Sequence, residues 1–168
     1  MNIEKYKDIF LDRDGVINEV VIRNGSISSP RSFKEFKLKK DIKNFVKKFE
    51  NKNFYVVTNQ PDISRNLLCL DELQKMHQII IEELGIKNIS FCPHTDEQDC
   101  DCRKPKPGMI TSYIDEFNLV REKCLMIGDT EKDILAAKNA KISSVLIKTH
   151  YNAQLPEINF INSLKDLS

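Results

Sequence analysis

The stretch Asp8-Ile9-Phe10-Leu11-Asp12-Arg13-Asp14-Gly15 places two aspartates directly after a short apolar run. The apolar run predicts a buried β-strand, and Gly15 predicts a sharp turn of the backbone after it. Three more polar segments follow along the chain, Thr58-Asn59-Gln60, Arg103-Lys104-Pro105 and Gly128-Asp129-Thr130, and the first and last of them also follow apolar runs. Polar residues that repeatedly follow strands predict a site at one edge of a parallel sheet.

The rest of the chain alternates between short apolar runs and amphipathic stretches. Strands are predicted at 8–11, 54–57, 89–91, 124–127 and 144–147. Helices are predicted where apolar residues lie three and four positions apart, at 42–49, 73–84, 109–117 and 134–137. Such alternation is typical of an α/β fold in which crossover helices cover both faces of a mainly parallel sheet.

Two regions lack strong periodicity. Residues 20–36 contain Asn24-Gly25 and Ser28-Ser29-Pro30, which predict a hairpin or loop near the mouth of the site. The stretch after His150 is expected to pack as a terminal strand and a short helix. Because no repeat, low-complexity tract or linker interrupts the sequence, we interpret residues 1–168 as a single domain.

The composition restricts the class of protein. The length of 168 residues suits one compact domain. The formal net charge of +1 gives no broad basic field for nucleic acid. The N-terminus lacks the apolar core of a signal peptide, and no apolar run approaches membrane-spanning length. We therefore expect a cytoplasmic protein without nucleic-acid or membrane partners, with a monomer as the default. In a reducing compartment, the five cysteines are expected to be metal ligands or buried thiols.

The pair of Asp12 and Asp14 suits phosphoryl transfer. Side chains two positions apart point the same way in an extended chain, so both carboxylates are expected to face one reaction centre. Asp12 would attack phosphorus and form an acyl-phosphate, while Asp14 would protonate the leaving oxygen and later deprotonate water. Taken alone, an Asp-x-Asp pair is more often a solvated turn, so this interpretation depends on the other segments.

The segments at 58–60 and 103–105 offer hydrogen-bond donors. Thr58 supplies a hydroxyl, and Asn59 and Gln60 supply amides. Lys104 offers a point charge for phosphoryl oxygens, and Arg103 a planar fork for a phosphate or a pair of hydroxyls. A polar strand end and a solvated basic pair are the alternative interpretations.

Asp129 could complete a Mg²⁺ site with Asp12, helped by Asp133 one helical turn later, because Mg²⁺ prefers few carboxylates together with water and phosphate oxygen. The alternative is that Asp129 and Asp133 are acids at a helix start, favoured there by the helix dipole. The occurrence of all four segments in one order favours a shared site.

A second cluster is predicted in the loop before Arg103. It has the pattern Cys-x-His, five residues, then Cys-x-Cys, and its members are Cys92, His94, Cys100 and Cys102. Three thiolates and one imidazole suit tetrahedral Zn²⁺, and a closed ligand set indicates a structural site. Incidental cysteines are the alternative, but four soft ligands within residues 92–102 argue against it. The metal would fix the loop that ends in Arg103 and Lys104.

The motifs at 10–15, 57–60, 102–105 and 127–129 resemble those of the haloacid dehalogenase (HAD) superfamily of phosphohydrolases, within it the small capless branch of subfamily IIIA. The similarity extends from about residue 10 to 147. The resemblance implies a three-layer Rossmann-like fold with a parallel sheet, no cap domain and a zinc loop at about 92–102.

The same resemblance implies a role for each matching residue. Asp12 is the nucleophile and Asp14 the acid/base, and Thr58 and Lys104 stabilise the transferring phosphoryl group. Mg²⁺ is held by Asp12, by Asp14 through its carbonyl, and by Asp129, with Asp133 behind them. The residues expected to bind substrate are Asn59, Gln60, Arg65, Arg103 and Lys104.

This branch includes phosphatases of heptose bisphosphates and of histidinol phosphate. The stretches Lys104-Pro105-Lys106-Pro107-Gly108 and Ile63-Ser64-Arg65 look closer to the heptose enzymes. The resemblance thus implies removal of the 7-phosphate of D-glycero-D-manno-heptose 1,7-bisphosphate, in lipopolysaccharide or other surface-polysaccharide synthesis. The chain departs from the pattern of the heptose enzymes at Val16, Asn66 and Thr130, and residues 21–36 lack their Gly-Tyr-Val pattern. The lysine missing at position 130 and the missing loop pattern leave the sugar and its anomer open, with histidinol phosphate or another small phosphosugar as alternatives.

Two functions of other classes compete with this one. An inactive zinc-containing binding domain could keep the fold, but the intact Asp12, Asp14, Lys104 and Asp129 argue against it. A phosphatase of nucleic-acid ends or phosphoproteins would suit a capless site, but the chain lacks a basic stripe interleaved with aromatic residues.

Overall fold

The computed structural model describes residues 1–155 and 159–168, and its centre is a six-stranded parallel sheet. The strands are β1 (Asp8–Leu11), β4 (Asn53–Asn59), β5 (Asn88–Cys92), β6 (Cys124–Gly128), β7 (Ser143–Ile147) and β8 (Phe160–Ile161). Their spatial order is β5-β4-β1-β6-β7-β8. The chain runs from β1 to one edge, then returns to the other side of β1. The carboxyl end of β1 is therefore the point where the strand order reverses, which is where ligands bind in such sheets.

The described chain contains four α-helices, α1 (Ile42–Lys48), α2 (Leu70–Leu84), α3 (Gly108–Phe117) and α4 (Glu131–Ala140). α2 ends at Gly85, whose left-handed conformation lets its N–H bond to the carbonyl of Ile81. α4 begins with a capping box formed by Thr130 and Asp133. Within the described ranges, no helix combines the length and apolar character needed to span a bilayer.

The hydrophobic core lies on both faces of the sheet. Ile9 and Leu11 of β1 belong to the cluster packed by α1 and α2, whereas Phe10 belongs to the cluster packed by α3 and α4. This alternation is the two-residue period of a strand. The result is a three-layer α/β/α arrangement, as the sequence predicted.

The predicted hairpin near the site is present. It consists of β2 (Val21–Arg23) and β3 (Ser26–Ser28), paired antiparallel. The turn residues Asn24 and Gly25 have φ values of 51° and 77°, the left-handed conformations that suit a tight hairpin turn. The hairpin lines the cavity described below. Residues 156–158 of the stretch after His150 lie outside the described residues, and the part that is described agrees with the prediction, with β8 followed by a short 3₁₀ helix at Leu164–Asp166.

Several element boundaries differ from the prediction, among them the ends of β4 and α1. β4 extends past the apolar run to include Thr58 and Asn59, because its parallel pairing with β5 continues as Thr58 opposite Phe91 and Asn59 opposite Cys92. A strand is held by backbone hydrogen bonds, which polar residues make as well as apolar ones. α1 ends at Lys48, so Phe49 lies at the helix cap while its side chain stays in the core.

Candidate active site and zinc loop

The ammonium group of Lys104 lies between two buried carboxylates. Its Nζ donates hydrogen bonds to Oδ1 of Asp12 at 2.7 Å and to Oδ1 of Asp133 at 2.5 Å. Asp12 directly follows β1 and Asp133 lies in the first turn of α4, so Lys104 joins elements far apart in sequence. Burial lowers the pKa of Lys104, but the two carboxylates outweigh burial and hold the pKa above its ordinary value. Lys104 is therefore a fixed cation at the carboxyl edge of the sheet.

Asp129 follows β6, and in the described chain only one of its two carboxylate oxygens accepts a hydrogen bond. Its Oδ2 accepts a hydrogen bond from the phenol of Tyr151, and its backbone carbonyl accepts one from Nδ2 of Asn152 at 2.8 Å. Its Oδ1 is buried and has no hydrogen-bond partner in the described chain. Gly15 approaches this carboxylate so closely that an added Cβ would lie 1.8 Å from Oδ2. With a φ of +86°, Gly15 also adopts a backbone conformation that favours glycine.

Asp133 has no free carboxylate oxygen. Its Oδ1 accepts from Lys104, while its Oδ2 accepts from the hydroxyl of Thr130 at 2.7 Å and from the backbone N–H groups of Asp129 and Thr130. It therefore caps α4 and anchors Lys104 at the same time. Asp133 therefore supports the site without lining the cavity, whereas Asp12 and Asp129 line it.

The charges of this cluster fit a divalent cation. Asp12, Asp129 and Asp133 each bring a carboxylate oxygen to within 4.8 Å of the others. Burial raises the pKa of Asp12 to about 7 despite the attraction of Lys104, and burial with repulsion from Asp12 holds the pKa of Asp129 well above its ordinary value. The single positive charge of Lys104 does not neutralise three carboxylates. The unpartnered Oδ1 of Asp129 is a hard oxygen ligand, the kind that Mg²⁺ prefers. The residues thus fit Mg²⁺ held by Asp12 and Asp129.

Asp14 lies in the same cavity but belongs to a different hydrogen-bond network. The buried guanidinium of Arg13 donates to both of its oxygens, from Nη2 at 2.8 and 3.0 Å. Nδ2 of Asn18 donates to Oδ1 at 2.9 Å, and Nε2 of Gln60 donates to Oδ2 at 2.7 Å. Burial raises the pKa of Asp14, but Arg13 and the hydrogen bond from Asn18 outweigh burial and keep the pKa below its ordinary value. The carboxylate is thus held ionised in one orientation.

The end of β4 and the residue after it contact both networks. Nε2 of Gln60 donates to Oγ1 of Thr58 at 3.1 Å as well as to Asp14. Asn59 is paired twice with the backbone of Lys104, since its Nδ2 donates to the lysine carbonyl at 2.9 Å and its Oδ1 accepts from the lysine N–H at 3.0 Å. Asn59 thereby fixes the backbone that carries Lys104, a role that its position in the sequence did not indicate.

The predicted zinc ligands form one compact cluster. The distances from Sγ of Cys102 are 3.0 Å to Sγ of Cys92, 3.3 Å to Sγ of Cys100 and 3.4 Å to Nδ1 of His94. All four ligand atoms lie within 4.8 Å of one another. A tetrahedral Zn²⁺ with ligands at about 2.0–2.3 Å needs four soft donors around one point, and this set supplies them. The residues fit a structural zinc ion.

Arg103 is turned toward the zinc loop. Its Nε and Nη2 donate to the two carboxylate oxygens of Asp96, and its Nη1 donates to the carbonyl of His94 at 3.1 Å. The Arg103 side chain is only 10% exposed. The guanidinium that the sequence assigned to substrate is thus paired within the protein, although it lines the cavity.

The cavity at this edge of the sheet has a volume of about 670 Å³ and brings most of the predicted residues together. Among the predicted site residues, those lining it are Asp12, Asp14, Thr58, Asn59, Arg65, Arg103, Lys104 and Asp129. Its walls also carry Arg31 and Asp62, which the sequence analysis did not single out.

Three residues that contact the carboxylates of Asp14 and Asp129 had no role in the sequence analysis. They are Arg13 and Asn18, which bind Asp14, and Tyr151, which binds Asp129. Arg13 could have been noticed as a cation between two aspartates. Tyr151 gave no signal, because it lies 22 residues from its partner in a weakly patterned segment.

Comparison with known proteins agrees with this geometry. A family model described as HAD-hydrolase-like matches residues 101–159. The D-glycero-beta-D-manno-heptose-1,7-bisphosphate 7-phosphatase of Helicobacter pylori (strain J99) is 34% identical over 158 residues, which cover 89% of this chain and 87% of that protein. The D-glycero-alpha-D-manno-heptose-1,7-bisphosphate 7-phosphatase of Campylobacter jejuni is 31% identical and covers 97% of this chain and 92% of its own.

A solved structure extends the similarity to three dimensions. The crystal structure of D,D-heptose 1,7-bisphosphate phosphatase from B. bronchiseptica, in complex with magnesium and phosphate, matches 94% of this chain and 93% of its own with a TM-score of 0.80 and 26% identity. The resemblance inferred from the motifs is thereby confirmed over nearly the whole chain. This chain belongs to the HAD-like hydrolases, in the family of the heptose-1,7-bisphosphate 7-phosphatases.

Proposed function

We propose that this protein is a Mg²⁺-dependent phosphatase that removes the 7-phosphate of D-glycero-D-manno-heptose 1,7-bisphosphate. The observation that carries the proposal is the placement of Lys104 between Asp12 and Asp133, with a carboxylate oxygen of Asp129 within 4.8 Å of theirs. This arrangement combines a nucleophile, a fixed cation and a metal ligand at the point where the strand order reverses. The product, a heptose 1-phosphate, would serve the cytoplasmic synthesis of nucleotide-activated heptose for surface polysaccharides.

In the first half of the reaction, a carboxylate oxygen of Asp12 attacks the phosphorus of the 7-phosphate. The new bond joins this oxygen to phosphorus, and the bond from phosphorus to the sugar oxygen breaks. Asp14 gives its proton to the leaving oxygen. In the free protein Asp14 is ionised. A phosphate dianion beside it would raise its proton affinity, so Asp14 would take up this proton from solvent as the substrate binds.

In the second half, Asp14 accepts a proton from water as the water oxygen attacks phosphorus. The acyl-phosphate bond breaks, which releases phosphate and restores the Asp12 carboxylate. Arg13, Asn18 and Gln60 hold Asp14 in one orientation for both steps. A fixed orientation matters because proton transfer requires hydrogen-bond distance at the moment of reaction.

Negative charge on the phosphoryl group is stabilised from several sides. Lys104 provides a fixed positive charge, and Thr58 provides a hydroxyl donor at the end of β4. When bound by Asp12 and Asp129, Mg²⁺ would supply further positive charge to the phosphoryl oxygens. The zinc loop acts indirectly, since it fixes the backbone that leads to Lys104.

Phosphate release with Mg²⁺ tests this proposal. The substrates to compare are both anomers of heptose 1,7-bisphosphate, histidinol phosphate and fructose 1,6-bisphosphate. We expect the heptose esters to give the highest kcat/KM. A higher value for histidinol phosphate would refute the proposed substrate while leaving the chemistry of Asp12 intact.

A further inference from the structure

We propose that Arg31 and Arg65, oriented by the shared carboxylate of Asp62, bind the second phosphate of the substrate, the one that is not transferred. The inference rests on the proposed function, because only a bisphosphate has such a group. Arg31 follows the β2–β3 hairpin, and Arg65 lies in the loop after β4. All three side chains line the cavity that contains Asp12 and Asp14.

The carboxylate of Asp62 bridges the two guanidinium groups. Its Oδ2 accepts a hydrogen bond from Nε of Arg31 at 2.7 Å, and its Oδ1 accepts one from Nη1 of Arg65 at 3.3 Å. The Asp62 side chain is 7% exposed, whereas those of Arg31 and Arg65 are 33% and 49% exposed. The acid is thus buried beneath two cations that remain open to the cavity. Two arginines against one carboxylate leave a net positive charge at this wall.

The two arginines retain donors for a ligand. Nε of Arg31 and Nη1 of Arg65 are the nitrogens bonded to Asp62, and no other hydrogen bond from either guanidinium is found in the described chain. A guanidinium carries N–H donors on all of its nitrogens, and two adjacent donors match a pair of phosphate oxygens. Two such groups held by one acid form a preorganised phosphate site.

The other cations of the cavity are less available. All three nitrogens of Arg103 donate within the protein, to Asp96 and to the carbonyl of His94. Arg23 is likewise used internally, since Nη1 donates to Ser28 and to the carbonyl of Ser29, and Nη2 pairs with Glu35. Lys104 is occupied at the reaction centre.

Lys132 is the remaining competitor. It lines the same cavity, is 46% exposed and pairs with Asp96 at 3.3 Å. As a single ammonium it presents a point charge, whereas Arg31 and Arg65 present two planar forks. The geometry therefore favours the wall formed by Arg31, Asp62 and Arg65.

A pair of substrates tests the assignment. Heptose 1,7-bisphosphate and heptose 7-phosphate carry the same scissile ester but differ in the second phosphate. For wild type, Arg31→Met and Arg65→Met, the ratio of kcat/KM between these two esters is measured with Mg²⁺. We expect each substitution to lower this ratio at least about tenfold, the loss that follows when a charge-assisted hydrogen bond is removed. Lys132→Met is the matched control and is expected to keep the wild-type ratio.

The outcomes separate the two proposals. If the ratio is unchanged in Arg31→Met and Arg65→Met, or falls only in Lys132→Met, the second phosphate does not bind at this wall and the inference is wrong. The proposed function then still stands, because wild type hydrolyses the heptose esters. If wild type hydrolyses neither heptose ester but does hydrolyse another phosphate monoester, the proposed substrate fails and the inference fails with it. Arg31→Lys adds a check on geometry, since it keeps the charge but not the fork, and should also lower the ratio.

Discussion

The phenol of Tyr151 donates a hydrogen bond to Oδ2 of Asp129, while Oδ1 of the same carboxylate is buried and unpartnered in the described chain. One contact from the segment after β7 thus gives Oδ2 a hydrogen-bond donor and leaves Oδ1 without one. Asn152 holds the backbone carbonyl of Asp129 from the same segment. Together these contacts occupy Oδ2 and the backbone carbonyl of Asp129 and leave Oδ1 available as a metal ligand.

Tyr151→Phe should therefore weaken the affinity for the metal. Loss of a hydrogen bond that orients a metal ligand typically lowers metal affinity about 10–100-fold. We expect a loss at the low end of this range, because only one ligand is affected. Binding of Mn²⁺ in place of Mg²⁺, followed by electron paramagnetic resonance of the free ion, measures this directly. Tyr113→Phe, which removes a phenol from the aromatic cluster with Phe10 and Tyr55, is the control and should leave the affinity unchanged.

Asp12→Asn should abolish turnover and leave the fold intact. An amide is a far weaker nucleophile than a carboxylate, so the rate should fall at least about a thousandfold. The control is Asp8→Asn, since Asp8 is a buried acid at the opposite end of β1, bonded to Asn53. Phosphate release and bound zinc are measured for both variants. A near-normal rate for Asp12→Asn would refute the covalent mechanism.

Gly15→Ala should impair activity by steric conflict. A Cβ at this position would lie 1.8 Å from Oδ2 of Asp129, so the carboxylate must move. Gly85→Ala is the control, because Gly85 has a similar φ of +71° but nothing within 4 Å of the added carbon. Each substitution should cost about 1 kcal/mol of stability from backbone strain, but only Gly15→Ala should also lower Mg²⁺ affinity and kcat. Equal kinetics for the two variants would contradict the contact with Asp129.

Cys100→Ser should release zinc and reduce activity without altering the nucleophile. The hydroxyl of serine is a poorer zinc ligand than a thiolate, and the loop that carries Arg103 and Lys104 would lose its anchor. Metal analysis should show less bound zinc, and the phosphatase rate should fall about tenfold. Cys69→Ser changes an exposed cysteine outside the cluster and should affect neither quantity. Full activity in zinc-free protein would show that the loop does not support Lys104.

His77 should make the protein less stable in acid. Burial lowers the pKa of His77 from 6.5 to about 4, and repulsion from Arg13 adds to this effect. Between these two pH values the unfolded chain binds a proton that the folded protein does not, so the free energy of unfolding falls as the pH falls from 6.5 to 4. In His77→Gln this contribution is absent, and the free energy of unfolding should fall less over the same window. Urea unfolding at several pH values measures the difference, and parallel curves for the two proteins would contradict it.

Much of the fold was predictable because it depends on local patterns. The apolar run at Ile9 to Leu11 and the amphipathic stripe of α2 specify their elements through side-chain periodicity, which is visible in sequence. The zinc cluster was equally accessible, since its ligands lie between Cys92 and Cys102 and their donor chemistry is distinctive. The prediction missed the end of β4, because backbone pairing with β5 continues through polar residues.

The orientation of Arg103 is a case where sequence reasoning was incomplete. A basic pair before two prolines predicted two cations facing substrate, but only Lys104 bonds to Asp12, while Arg103 pairs with Asp96. Adjacent side chains take different directions once the backbone leaves a regular element. Which partner each finds is then decided by residues brought near from elsewhere in the chain.

The sequence by itself determined the parallel α/β fold, the acids that follow its strands and the zinc ligands, because periodicity and ligand spacing act within short segments. Only the tertiary structure decided which of the acids are paired and which are free. Tyr151 contacts Asp129, which lies 22 residues away in the sequence, and Arg31 contacts Asp62, which lies 31 residues away. Tyr151 and Arg31 both lie in loops that carry no periodic signal. Such contacts form when the folded sheet brings distant loops to one edge, and they set the charge and orientation on which the proposed chemistry depends.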